Sequence, residues 1–223
     1  LDFAPDLLTE MPTTDNGGVA VHPDGTMTVT YRIRPEAVWD DGTPVSGEDF
    51  AFTLETVVGL PLPDPEFALY QTILPETVAV GEKTFSYTLP RETIDYERLF
   101  RVVLPRHAVA GTDPAAWTSA PWASAGPFRF AGWTEGVPGE VGSALRFVRN
   151  ETYWRTDRVG EPLPYLDEVE FRLVAGAREA VEAFARGQAD VVGLGHWPDV
   201  VERLQSRGGV SLAVGDGATW EHL

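Results

Sequence analysis

VWDDGTPVSGEDFAFTLETV, residues 38–57, places a tryptophan, an acidic pair, a tight turn and a helix start in one short run. Asp41-Gly42 ahead of Thr43-Pro44 is turn chemistry: Gly tolerates positive φ and Pro presets its own. In Ser46-Gly47-Glu48-Asp49 the spacing fits a capping box, the Ser46 hydroxyl accepting from the Asp49 N–H while the Asp49 carboxylate reaches back. Phe50, Leu54 and Val57 then fall at i, i+4 and i+7, the apolar face of a helix. Gly59-Leu60-Pro61 stops it. Glu48 and Asp49 are first-turn acids that suit the helix dipole. The stretch therefore predicts a turn feeding an amphipathic helix, and nothing in it demands reaction chemistry.

Working outward, TMTVTYRIR at 26–34 puts Met27, Val29, Tyr31 and Ile33 on one face of a half-buried strand. The Asp24-Gly25 turn lets Val19 and Val21 pair back as a hairpin arm. A Pro-rich loop is expected over 60–66. Residues 77–89 form another hairpin, turning near Gly81-Glu82, with Phe85, Tyr87 and Leu89 on one face. Short strands are expected at 124–130 and 145–148, separated by a turn carrying Gly136, Gly139 and Gly142. After that the style changes: strand 168–174, helix 177–186 stopped by Gly187, buried strand 189–194, helix 198–206, strand 210–214. That β-α-β-α-β order is the grammar of a mostly parallel sheet. The expected organisation is a hairpin-rich small lobe over 1–117 and part of an α/β lobe over 118–223.

Composition bounds the partners. A hydrophobic share of 43% is enough for a folded core, and no apolar run approaches the roughly 20 residues of a membrane span. A formal charge of −17 is the wrong sign for nucleic acid or an anionic membrane surface. With no cysteine, thiol catalysis, disulfides, iron–sulfur clusters and Cys-type zinc sites fall away together. The chain starts at Leu1 without an initiator Met or a leader pattern, and it reads as an internal piece of a longer protein.

Motifs for chemistry are equally sparse. His22, His107, His196 and His222 show no zinc-ligand spacing. There is no nucleophile elbow. The run of Gly136, Gly139 and Gly142 precedes a strand and is neither a dinucleotide fingerprint nor a phosphate loop. Gly176 stands alone at its strand–helix junction, short of a Rossmann fingerprint. Asp40 and Asp41 read as turn formers, not a calcium pair. Asn150-Glu151-Thr152 matches a glycosylation sequon, a pattern short enough to recur by chance. No catalytic residue, metal site or cofactor is expected; the chain reads as a binding scaffold.

The segment TVTYRIRPEAVWDDGTPVSGEDFAFTLETV resembles the signature region of bacterial extracellular solute-binding proteins of family 5, the oligopeptide-, dipeptide- and nickel-binding components of ABC importers. Ile33, Arg34, Ala37, Trp39, Asp41, Gly42, Thr43, Pro44, Glu48 and Asp49 match the pattern, whereas Pro35, Glu36, Val38, Ser46 and Gly47 depart from it. Downstream blocks follow in the family's order: Leu104-Pro105-Arg106-His107, Ala125-Gly126-Pro127-Phe128 with Trp133, Arg149-Asn150-Glu151-Thr152-Tyr153-Trp154, Tyr165-Leu166-Asp167-Glu168-Val169 and Gly187-Gln188-Ala189-Asp190. The resemblance implies an α/β, periplasmic-binding-protein-like (type II) fold, of which this chain is a fragment. It further implies a monomer outside the cytoplasmic membrane, lipid-anchored in its full length, that closes two lobes on a peptide or similar solute and delivers it to an ABC permease. Trp39 is expected to pack in the lobe.

Solute contacts are expected where strand 189–194 would end, at Gly195, His196 and Trp197. Gly193 and Gly195 let backbone approach a ligand and Trp197 offers an apolar face; the resembling segment of peptide-binding relatives faces the cleft. Tyr70 is the second candidate, because a family aromatic near that position contacts peptide. The competing reading has Trp197 stapling the next helix and Tyr70 packing in its lobe. Other functions weighed are a doubly wound enzyme domain, which would need a Gly-rich βα turn or a nucleophile elbow, and a non-transport sensor on the same fold.

Overall fold

A computed structural model of the chain describes residues 5–60, 65–114, 117, 123–193 and 211. Strand β1 (Val19–Val21) and strand β2 (Met27–Arg32) form the expected hairpin around Asp24-Gly25, in antiparallel register Val19↔Val29 and Val21↔Met27. Gly25 takes a φ of 85°, the left-handed turn position that glycine fills without strain. Helix α1 (Gly47–Gly59) follows, then helix α2 (Pro65–Ala68), which begins inside the segment read as loop. Strands β3 (Ala79–Val80) and β4 (Thr84–Leu89) make the second hairpin. A 3-10 turn, Ile94–Arg98, and helix α3 (Arg106–Val109) complete this part. Its sheet runs β1-β2-β4-β3.

The period-two pattern decides which face is core. β2 and β4 pair Met27↔Leu89, Val29↔Tyr87 and Tyr31↔Phe85, stacking apolar residues on one side. All six of these side chains are at most 4% exposed. α1 covers that face with Phe50 and Leu54, which are buried as the i, i+4 spacing requires. Phe100 closes the core from the loop after the 3-10 turn. Its ring lies 5.2–5.6 Å from those of Tyr31, Phe50, Tyr70, Phe85 and Tyr87. At these separations each aromatic pair adds about 0.5–1.5 kcal/mol beyond area burial.

Strands β5 (Phe128–Glu135), β6 (Ala144–Arg149) and β7 (Glu168–Arg172) form a three-stranded sheet in that order, and helix α4 (Ala177–Ala185) follows it. The chain divides into two compact units, Leu1–Gly132 with Arg146–Glu170, and Trp133–Leu145 with the chain from Phe171 onward. In the first, Asn150 donates its backbone N–H to Pro127 O at 2.9 Å and its side-chain amide to Gly126 O at 2.8 Å. Asn150 is 2% exposed, so the sequon residue is a strut and no glycan could reach it. In the second unit, Gly136 has φ 65°, and a Cβ there would sit 2.9 Å from Gly142 O. The glycine run is therefore a tight turn. Gly187, at φ 71°, ends α4 as its position after the helix requires.

Residues 189–193 do not form the expected buried strand, and Val191 is 85% exposed. A short apolar run becomes a buried strand only when neighbours pair with it, and no described strand does so here. The expected helix 198–206, the strand 210–214 (Ser211 excepted) and the boundary at residue 118 lie outside the described residues. Among the described residues no helix is long and apolar enough to cross a membrane.

Candidate functional site

The opening motif is held by one buried carboxylate. Asp49, 4% exposed, accepts the Ser46 N–H on Oδ2 at 2.9 Å, the helix-capping contact its spacing predicts. The same oxygen accepts the Trp39 indole N–H at 3.4 Å, and Oδ1 accepts the Arg106 N–H at 2.9 Å. One turn further along α1, the Thr53 hydroxyl donates to Asp49 O at 2.7 Å and accepts the Leu104 N–H at 2.9 Å. Two motifs distant in sequence, the DGTP turn with its helix and the Leu-Pro-Arg-His block, are thus stitched through Asp49 and Thr53. Lys83, the single lysine, spans the turn by donating Nζ–H to Ala37 O at 3.2 Å and Val45 O at 2.8 Å. Partial burial of that ammonium pulls its pKa below the usual lysine value.

At the surface of the same turn His107 Nε2 lies 2.8 Å from Asp41 Oδ2, and the Thr43 N–H donates to Asp41 Oδ1 at 2.9 Å. The Thr43 bond, with help from His107, holds the Asp41 carboxyl below the ordinary aspartate range. Trp39, 3% exposed, packs 6.1 Å ring to ring from His107. Its placement is that of a core residue.

Tyr70 is placed in the core of the first unit, 6% exposed, with its ring edge-on to Phe100 at 5.3 Å. Its hydroxyl accepts the Phe100 N–H at 2.6 Å. Phe100 has φ 55°, a left-handed conformation that is strained for a bulky residue, and the Tyr70 bond helps to hold it. Gly195, His196 and Trp197 lie outside the described residues, so Tyr70 is the one site candidate whose surroundings are seen.

Among the described residues, two recesses of the first unit are of interest. One, of about 330 Å³, has Trp39, Pro105, Phe128, Phe130 and Phe147 among its lining residues. The other, of about 320 Å³, sits beside the Phe100 loop. Sequence reasoning singled out neither Tyr96 nor Phe100, both of which line the second. Among the described residues no cluster of His, Asp and Glu could hold a metal ion.

Solved structures share the fold, which is that of type II periplasmic binding proteins. The oligopeptide-binding protein of Thermus thermophilus, complexed with a pentapeptide, superposes with a TM-score of 0.67 over 90% of this chain and 39% of its own, at 23% identity. The periplasmic EDTA-binding protein EppA gives 0.62 over 84% of this chain and 35% of its own, at 25% identity. The family description "Bacterial extracellular solute-binding proteins, family 5 Middle" matches residues 3–223, and the chain belongs to that family. Among curated relatives, the probable peptide-binding protein YejA of Agrobacterium fabrum is 26% identical over 76% of this chain and 28% of its own length. The oligopeptide-binding protein OppA of Mycobacterium bovis is 24% identical over 99% of this chain and 36% of its own. The chain thus spans between 28% and 39% of the length of these four relatives.

Proposed function

We propose that the chain is the middle part of the solute-binding component of an ABC importer, which captures a peptide or a similar small solute outside the membrane. The observation that carries this reading is the family match along residues 3–223, supported by the fold shared with a peptide-complexed protein. In this account two lobes close on the solute, exclude water from it, and present the closed form to a membrane permease. Neither an enzyme active site nor a cofactor has a part in it. The whole protein works as a monomer outside the cytoplasmic membrane, held there by a lipid anchor, and has no nucleic-acid partner.

Gly195, His196 and Trp197 are the proposed solute contacts. Tyr70, buried and accepting the Phe100 N–H, acts within its own unit by fixing the Phe100 loop. The division is tested by replacing Trp197 with Ala and Tyr70 with Phe in the full-length protein. Trp197→Ala should weaken solute binding with thermal stability unchanged, and Tyr70→Phe should lower stability first. A Trp197→Ala protein that binds normally removes Trp197 from the site.

A further inference from the structure

The turn that feeds β1 is built on one side chain. Asn16, followed by Gly17, accepts the Thr13 and Gly18 N–H groups on Oδ1, both at 2.9 Å. Its Nδ2 donates to Met11 O at 2.8 Å, and its own backbone N–H reaches the Thr13 hydroxyl at 3.2 Å. Val19 then donates to Thr13 O at 2.9 Å, which seats the start of the strand. Gly17 takes a φ of 68°, and a Cβ on Gly18 would lie 2.6 Å from Pro12 Cα, so the chain has no slack here.

Asn-Gly is also a reactive pair, because glycine has no side chain to keep its backbone nitrogen from the residue before it. The Gly17 N–H gives its proton to hydroxide, and the nitrogen attacks Asn16 Cγ. The N–Cγ bond forms, the Cγ–Nδ2 bond breaks, and Nδ2 takes a proton from water and leaves as ammonia. Water then opens the cyclic imide at either carbonyl, giving aspartate or isoaspartate. Nothing is oxidised or reduced, and water is the only co-reactant. The folded turn opposes the first step. Met11 O holds the leaving amide, two N–H groups hold Oδ1, and the Gly17 N–H is engaged with Thr14 O at 3.3 Å. Gly17 is exposed, so once the turn opens solvent base reaches its N–H. The product undoes what the amide built. Aspartate keeps both acceptor bonds but sets an oxygen against Met11 O in place of a donor. Isoaspartate lengthens the main chain by a methylene, which the close approach of Gly18 to Pro12 does not accommodate.

We propose that Asn16 is a self-modification site, held closed by the folded turn and deamidated through Gly17 whenever that turn opens. Asn150 is the internal control, because it precedes Glu151, is 2% exposed and donates its amide to Gly126 O at 2.8 Å. The full-length protein is incubated in mildly alkaline buffer, folded or unfolded in urea, and its proteolytic peptides are followed by mass spectrometry for the amide-to-acid change. Asn16 should convert at least about tenfold faster in urea than in the folded protein. Thr13→Val, a change at an exposed position, removes the acceptor of the Asn16 N–H. It should speed conversion in the folded protein about fivefold and leave the rate in urea unchanged. Asn150 should stay intact in the folded protein. The proposal is overturned if Asn16 does not convert in urea, if it converts equally fast in both states, if Thr13→Val leaves the folded rate unchanged, or if Asn150 converts as fast as Asn16. None of these outcomes bears on solute capture by the full-length protein.

Discussion

Replacing Asp49 with Ala should be among the most damaging single changes available in the first unit. The substitution strands the backbone N–H groups of Ser46 and Arg106, each now bonded at 2.9 Å, and the Trp39 indole N–H at 3.4 Å. A buried donor left without an acceptor costs about 1–3 kcal/mol, so two amides set a range of about 2–6 kcal/mol. Ser46 is half-buried and regains some water, and the indole bond is long, which places the expected loss at about 3–4 kcal/mol. A domain's whole stability is about 5–15 kcal/mol, so the effect is plain in a urea transition followed by far-UV circular dichroism. Glu48→Ala is the matched control. It removes an acid from the same turn, but Glu48 is 61% exposed and only 4.0 Å from Arg106. Exposed pairs of this kind are worth about 0.2–1 kcal/mol. If Asp49→Ala shifts the midpoint no further than Glu48→Ala, the carboxylate is not what joins the two motifs.

Gly47→Ala should destabilise, although helix propensity alone favours Ala by about 1 kcal/mol. A Cβ there would lie 2.4 Å from Thr84 O and 2.5 Å from Gly81 O, both backbone atoms, so a loss of about 1–3 kcal/mol is expected and a gain in thermal stability would refute the close approach. Asp41 sets an acid dependence. Its folded pKa lies below the ordinary 3.8, so its contribution is complete above that value and fades as the pH falls through the folded pKa. Asp41→Asn should therefore flatten the acid limb of the stability profile below about pH 4 and leave its shape near neutrality unchanged; an identical acid limb would count against the Thr43 and His107 contacts. In the full-length protein, Trp197→Ala should cost about 1 kcal/mol or more of solute binding without a matching loss in thermal stability, measured by paired calorimetry and melting.

The parts legible in the sequence are those governed by short-range rules. The 26–34 alternation, the Asp24-Gly25 and Gly81 turns, the 47–59 helix and the Gly187 stop depend on residues within a few positions of one another. The family blocks, in their order, were legible for the same reason. What stayed hidden is set by distant partners. Asp49 reads as a first-turn acid and the capping partner of Ser46, yet it also receives an amide 57 positions away at Arg106. Phe100 gives no sign of its positive φ, because the Tyr70 hydroxyl that helps to hold it is 30 residues distant. The composition of the run at 189–194 suits a buried strand, but composition cannot supply pairing neighbours. Tyr70 was singled out by resemblance; its burial at 6% shows how a position can be noticed and its surroundings still missed.

The central claim, capture of a solute between two lobes, is tested most directly by native mass spectrometry of the full-length protein purified from its own cell envelope, followed by denaturation to release whatever it carries. The account predicts one peptide or small solute per protein molecule, released on unfolding, and a 223-residue chain that retains little or none of it under the same conditions. A full-length protein that carries nothing and binds no member of a mixed peptide pool, or a short chain that holds the solute equally well, would contradict it.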